Sequence, residues 1–316
     1  MIPYITRRLA LLLPVMLIVG TVTFTLIHLT PGDPAAVMLG PEATPEEVER
    51  LRRQMGMNDP LPLQYASWLA DAARFDLGDS IFLNRSVASA IVERAAPTLQ
   101  LAFYALTIAL LVGVPAGIIA ALRQNSPVDR LLMTLSIGGT AIADFFLGIL
   151  LILLFSVTLR WLPSGGYVEF TVSPVAHARS MVLPSLALGL SIAGLPARLI
   201  RSTMLDILRE DYIRTAVAKG LRPSVVAFRH AFRNALLPLV TVLGYTLGDL
   251  LGGAVVVETV FSLPGIGQLV VNSIGRRDFP VIQGVVMVIA VFYLLSNLLV
   301  DVLYVYLDPR VRHVRR

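Results

Sequence analysis

The chain has 316 residues, of which 56% are hydrophobic and 15% charged, with a formal net charge of +5 and no cysteine. Soluble domains average roughly 45–50% apolar and about 25% charged residues. The composition therefore argues against a soluble globular protein, and the lack of cysteine excludes a disulfide scaffold, a thiolate metal site and a cysteine nucleophile.

The apolar residues gather in runs of about 20, the length that crosses a bilayer core. The first run, Leu9 to Leu29, follows Arg7 and Arg8. It is longer than the roughly 7–15 residues of a signal-peptide core, so it reads as a retained span with its basic end in the cytoplasm. Further runs lie near Leu99–Leu122, Leu132–Leu159, Met181–Leu199, Leu236–Val257 and Ile282–Tyr306. The expected fold class is an all-α membrane protein of about six transmembrane helices. The expected organisation is an N-terminal span over 1–30, an extracytoplasmic segment with a short helix over 31–96, and a core of five spans over 97–316.

Within the outer segment, Thr44-Pro45-Glu46-Glu47 reads as a capping box with proline at the first helical position. Val48, Leu51 and Met55 then share a face, and Gly56 suits the helix end. The pattern shows no strong internal repeat. Six spans place both termini on one side. The loop between spans four and five carries Arg198, Arg201, Arg209, Arg214, Lys219, Arg222, Arg229 and Arg233 against three acids. The C-terminal tail is also basic, and the positive-inside rule puts both in the cytoplasm rather than pointing to nucleic acid.

That loop, about 203–235, is the most informative stretch. Met204, Leu208, Tyr212 and Ala216 recur every four residues as an apolar stripe on a charged helix. Gly220 reads as a stop and Arg222-Pro223 as a restart, giving two helices joined by a tight elbow. Pattern alone leaves three uses open for such a helix: the lipid surface, its own bundle, or a groove on a partner protein. The one lysine, Lys219, lies between Ala218 and Gly220, so no Gly-Lys-Ser/Thr phosphate loop exists here. His28, His177, His230 and His313 are dispersed without metal-ligand spacing.

Asp211-Tyr212-Ile213-Arg214-Thr215-Ala216-Val217-Ala218-Lys219-Gly220 and Arg229-His230-Ala231-Phe232-Arg233-Asn234-Ala235-Leu236-Leu237-Pro238 resemble the signature loop of bacterial ABC importer permeases. More narrowly, they resemble the dipeptide, oligopeptide and nickel branch of the binding-protein-dependent inner membrane components. Pro31-Gly32-Asp33-Pro34, Asp76-Leu77-Gly78-Asp79-Ser80, Pro97-Thr98-Leu99, the run from Glu258 to Gly267, Arg277-Asp278-Phe279-Pro280, Asn297 to Asp301 and Leu307-Asp308-Pro309-Arg310 follow the same branch in order. Two departures are Val217, where the branch often has arginine, and Ala143, where it often has proline and where the local kink is affected.

The resemblance implies a type I importer bundle in the bacterial inner membrane, multi-pass, with both termini cytoplasmic. It implies a second homologous permease (a heterodimer), two ATPase subunits that carry ATP and Mg, and an extracytoplasmic solute-binding protein, with no cofactor in this chain. Thr215, Ala216, Ala218, Lys219 and Gly220, with His230, Arg233 and Asn234, would form the ATPase-coupling elbow. Asp144, Asp249, Glu258, Pro264 and Gly265 are candidates for the solute pathway or gate, the alternative being structural roles near span ends. Asp301 falls in a motif shared across the branch. The expected cargo is di- or oligopeptides, with nickel, glutathione or another small solute as alternatives. Functions of another class are an ion-coupled secondary transporter, an intramembrane enzyme and a passive channel. The enzyme would need an activated nucleophile or metal cluster that the spans do not offer.

Overall fold

The computed structural model describes the backbone of residues 2–29, 34–39, 43–54 and 56–307. The Pro31-Gly32-Asp33 string, Met55, the terminal arginines and Asp308-Pro309-Arg310 lie outside the described residues, as do the side chains of Arg7, Arg8, Leu51 and Asp301.

The described chain is helical in the order α1 (Ile2–Leu29), α2 (Pro34–Leu39), α3 (Pro45–Gln54), α4 (Leu61–Ala73), α5 (Val87–Leu122), α6 (Pro127–Ala141), α7 (Asp144–Leu151), α8 (Pro174–Leu208), α9 (Asp211–Ala218), α10 (Pro223–Val225), α11 (Arg233–Val260), α12 (Ile266–Arg276) and α13 (Phe279–Leu307). Two π-helical stretches, Ile152–Thr158 and Val226–Phe232, continue α7 and join α10 to α11. Among the described residues, Val87–Leu122, Pro174–Leu208 and Phe279–Val300 are unbroken helices long and apolar enough to cross a membrane. Two bent pairs, Pro127–Ala141 with Asp144–Thr158 and Pro223–Leu250 with Gly252–Val260, raise the number to five. The remaining apolar helix is α1, whose Leu12–Thr25 stretch belongs to the first expected span.

The third span differs from the single helix expected. Its halves meet at 101°. Ile142 and Ala143 are extended, at φ −83°, ψ 126° and φ −62°, ψ 137°. At the α7 start the Asp144 carboxylate accepts from the Phe145 amide at 2.8 Å. The kink forms with Ala143, without the proline common in the branch.

The contacts divide the chain into two compact units: residues up to Ala96 with Gly265–Leu294, and Pro97–Pro264 with the residues from Leu295. In the first unit, the capping box of α3 forms as its sequence predicts. The Thr44 amide donates to Glu47 Oε2 at 2.9 Å, and the Glu47 amide donates to Thr44 Oγ1 at 3.4 Å. The Thr44 backbone hydrogen bond holds the Glu47 carboxyl below the usual range. Gly56 takes φ +66° after the helix. Two further helices, α2 and α4, have no counterpart in the expectation of one short helix, and α5 begins at Val87, within the expected 31–96 segment. Val87, Ala90 and Ile91 of α5 pack with Ile266, Leu269, Val281 and Val285 as the apolar centre of this unit.

The second unit is built around α8, which packs on α6, α7 and α11. Small residues let the helices approach. A Cβ placed on Gly113 or Gly117 of α5 would lie 2.4 and 2.5 Å from the carbonyl oxygens of Ala193 and Ala197. Gly113 and Gly117 are four apart, the small-xxx-small spacing that brings membrane helices backbone to backbone. One core joins Leu101, Ala105, Met181, Leu188, Leu250, Val257 and Phe261. Another joins Ile118, Ile200, Met204, Ala231, Ala235 and Leu239.

Candidate functional site

The elbow between α8 and α11 takes its shape from two local devices. Glu210 is extended, at φ −66°, ψ 147°, and ends the phase of α8 before α9 begins. At the other end of α9 the Gly220 amide donates to Val217 O at 2.9 Å and the Leu221 amide to Ala216 O at 3.3 Å, with Gly220 at φ +78°. That pair of bonds is the Schellman closure, in which glycine takes the left-handed position without a Cβ penalty. Arg222 is again extended and Pro223 opens the next helical turn.

The break at Glu210 corrects the stripe read from the sequence. Met204 and Leu208 belong to α8, and the residues buried on α9 are Ile213 and Ala216 rather than Tyr212 and Ala216. The four-residue repeat is carried across two helices whose phases differ. Thr215, Ala218, Lys219 and Gly220 are exposed, and so is Val217, at 58%. Leu221 and Phe228 add further exposed apolar surface beside it. The elbow thus has one face in the bundle and one apolar-and-basic face free of the chain.

Asn234 braces the elbow: its Nδ2 donates to Tyr212 Oη at 3.1 Å and to His230 O at 2.9 Å. Of the three polar residues placed here by sequence, Asn234 therefore bonds across the elbow. His230 is half-buried and Arg233 is exposed. Beneath them Ala231 and Ala235 are buried with Met204 and Ile200.

The gate candidates separate into buried and open groups. Glu258 is fully buried on the last turn of α11 and accepts from Thr98 Oγ1 at 2.5 Å. Its carbonyl accepts the Leu263 amide at 2.8 Å, closing the turn before Pro264 and Gly265. Both the side chain and the carbonyl of Glu258 are thus engaged within the chain at this turn. Gly165 lies against that turn: a Cβ there would be 2.6 Å from Phe261 O, which accepts the Gly166 amide at 2.9 Å. Pro264 is half-buried and Gly265 buried. By contrast Asp249 is exposed along α11, as is Tyr245 four residues before it. Asp144 is half-buried at the start of α7, close to Gly253 of α11.

Two polar clusters in the same unit were not legible as sites. His177 is buried among the rings of Tyr104, Tyr167 and Phe170. Its Nδ1 donates to Val168 O at 2.7 Å, which leaves Nε2 to accept from Tyr104 Oη at 3.2 Å. Tyr167 donates to Gln100 Oε1 at 3.0 Å, and burial raises its phenol above the ordinary value. The second cluster is the Asp129–Arg201 ion pair at the start of α6. The Ser126-Pro127-x-Asp129 cap was a signal for Asp129, but nothing near it in sequence points to Arg201. No three His, Asp or Glu side chains among the described residues are grouped to hold a metal ion.

Comparisons with known proteins agree along the whole length. The family model of the binding-protein-dependent transport system inner membrane component matches residues 113–313. The model of the N-terminal part of such membrane components matches residues 1–102. A Brucella abortus (strain 2308) protein bearing the name peptide transport system permease protein is 45% identical over 309 residues, 98% of each chain. The glutathione transport system permease protein GsiC of Escherichia coli (strain K12) is 42% identical over 313 residues, 99% of this chain and 100% of that one. Among solved structures, an inward-facing conformation of the MetNI methionine ABC transporter aligns at TM-score 0.57 and 18% identity, covering 69% of this chain and 96% of that chain. The helical bundle, the elbow and these matches together identify the chain as a member of the binding-protein-dependent transport system inner membrane components, the permease subunits of ABC importers.

Proposed function

We propose that the chain forms one half of the solute pathway of an ATP-driven importer of short peptides. Support for the cargo comes from the relatives, named for peptides and for glutathione, itself a tripeptide. A second homologous permease completes the path, two ATPase subunits carry ATP and Mg, and a solute-binding protein delivers cargo from outside. Both termini and the elbow then lie in the cytoplasm, where the positive charge of the loop places them.

One observation carries the coupling role: α9 buries Ile213 and Ala216 in its own bundle while Val217, Ala218 and Lys219 stay open. A helix with a second, partly apolar face suits a groove on a partner. Closure of the ATPase pair pulls that helix, and the continuous run from Pro223 into α11 passes the motion to the pathway. A ligand shifts such an equilibrium only by binding its two states differently, so ATP must favour the state with the elbows drawn together. Asp249 and Asp144 line the path in this reading. A carboxylate facing lipid costs about 2.5–3.5 kcal/mol on insertion scales, which favours water or a protein neighbour for Asp249.

The test is uptake into vesicles holding this chain, its partner permease, the ATPases and the binding protein. Peptide accumulation should require ATP and persist when ion gradients are collapsed. Uptake by the permeases without the ATPases, or uptake that follows an ion gradient, rejects the proposal.

A further inference from the structure

The first unit holds a cavity of about 500 Å³. That volume falls within the range of small-ligand sites, about 300–1,000 Å³. Its wall combines the outer end of α1, the chain from Gly56 to Ile81, and the start of α13. All three lie on the extracytoplasmic side in the six-span reading. The aromatic part of the wall is Phe24 and Trp68, whose ring centroids are 6.0 Å apart, with Phe279. The polar part includes Asp59, Asp71, Asp76 and Asp79, and none of the described residues lining it is lysine or arginine.

These carboxylates are not used up by the fold. Asp76 accepts the Gly78 amide at 3.0 Å. Asp59, Asp71 and Asp79 make no side-chain hydrogen bond or ion pair among the described residues. Other polar groups at the cavity are engaged: Gln64 Nε2 donates to Met57 O at 2.9 Å and to Asp59 O at 2.8 Å. His28 stands at 2.9 Å from Phe24 O and 3.3 Å from Gln64 Oε1. The free chemistry is therefore negative charge beside aromatic faces. An aromatic face attracts a cation through its quadrupole, and a carboxylate adds a charge-assisted hydrogen bond. An anion is repelled, and a neutral apolar molecule gains nothing from the carboxylates, which are exposed to water.

We infer that this cavity is a binding site for an organic cation, an ammonium or guanidinium on a small apolar body. The cation has two sources on this side of the membrane: the free amino terminus of a peptide in transit, or a basic side chain of the delivering binding protein. Delivery rests on the importer reading above, whereas cation binding by the cavity does not.

The chain contains two tryptophans, so Trp161→Phe leaves Trp68, on the cavity wall, as the only one. That variant of the full chain, in nanodiscs, is titrated with phenethylammonium and with its uncharged counterpart 2-phenylethanol. The cation should change Trp68 fluorescence saturably, and the alcohol should not. Adding Asp71→Asn with Asp79→Asn, both exposed positions, should weaken the response about ten-fold, as removing charged partners of a cation does. Equal responses to both probes, or a response that survives the two substitutions, overturns the site. The source is read in the assembled importer from uptake of a peptide and its N-acetylated form. If the double variant loses only the free-amine peptide, the cation is the cargo's own; an equal loss of both assigns it to the binding protein. Unchanged uptake of both overturns the role in delivery while leaving the importer reading intact.

Discussion

The guanidinium of Arg201 donates to both carboxylate oxygens of Asp129, at 2.6 and 2.7 Å, across 72 positions of sequence. The Asn125 amide donates a third bond at 2.9 Å, and the Asp129 residue is 3% exposed. The pair therefore ties the turn between α5 and α6 to the stretch of α8 that feeds the elbow.

Removing one partner of a buried pair leaves the other charge without compensation. Arg201→Ala should cost about 3 kcal/mol for that reason. Arg201→Lys should cost less, because it keeps the charge and loses only the two-pronged geometry. Unfolding midpoints in nanodiscs for Arg201→Ala, Asp129→Ala and the double variant form a cycle. Coupling above about 1 kcal/mol is expected for residues in direct contact. Additive losses would show that the bonds do not hold the turn.

At Gly220 the constraint lies in the backbone and not in crowding. Its φ is +78°, and an added Cβ would meet nothing within 4 Å. A non-glycine residue in this region pays about 1–2 kcal/mol, asparagine less and a β-branched residue more. Gly220→Val should therefore reshape the Schellman closure, leaving ATPase activity high and peptide uptake low in reconstituted vesicles. Gly220→Asn should keep both. If valine and asparagine behave alike, side-chain volume matters at this point and the turn geometry does not.

The sequence displayed the elbow because its signals are local: a glycine stop, a proline restart and a run of arginines. The capping box at Thr44 and Glu47 was legible for the same reason. The stripe through Met204, Leu208, Tyr212 and Ala216 misled because periodicity assumes one helix, and the extended backbone at Glu210 changes the phase between its halves. The kink at Ile142 and Ala143 lacks the proline that would have announced it. Pairings such as Asp129–Arg201 and Thr98–Glu258 join residues 72 and 160 positions apart. Hydropathy sees such residues only as polar interruptions in or near spans.

Close packing of α5 on α8 makes a sharp contrast among glycines. A Cβ on Gly117 would stand 2.5 Å from Ala197 O and 2.9 Å from Ile200 Cβ. The helices must separate to admit it, so Gly117→Ala should destabilise the chain by about 1–3 kcal/mol, the usual cost of overpacking. On α6, Gly138 has nothing within 4 Å. Gly138→Ala should be neutral or should stabilise by about 0.5–1 kcal/mol through the lower entropy cost of alanine. Thermal unfolding of the two variants side by side checks the difference, and equal shifts would refute the close approach.

Ser80 and Asp278 bring together two of the strings that the sequence shares with its branch, Asp76 to Ser80 and Arg277 to Pro280. Ser80 Oγ donates to Asp278 Oδ2 at 2.5 Å and accepts from the Leu83 amide at 2.9 Å. The Ile81 and Phe82 amides donate to the same carboxylate at 3.3 and 3.4 Å. Asp278 is 2% exposed, so its charge depends on these donors rather than on water. Ser80→Ala takes one donor from the buried Asp278 carboxylate and the acceptor from the half-buried Leu83 amide, a cost of about 1–3 kcal/mol for a buried polar group left short of a partner. Asp278→Ala strands the Ser80 hydroxyl and two amides and should cost more. The loss should be local, because the amides set free lie within Ile81 to Leu83. Hydrogen exchange of the full chain should therefore speed up at Ile81, Phe82 and Leu83 in Ser80→Ala while the amides of α8 keep their protection. Unchanged exchange in that loop would mean that the carboxylate does not hold it. Faster exchange throughout α8 would mean that the contact supports the whole bundle rather than its own turn.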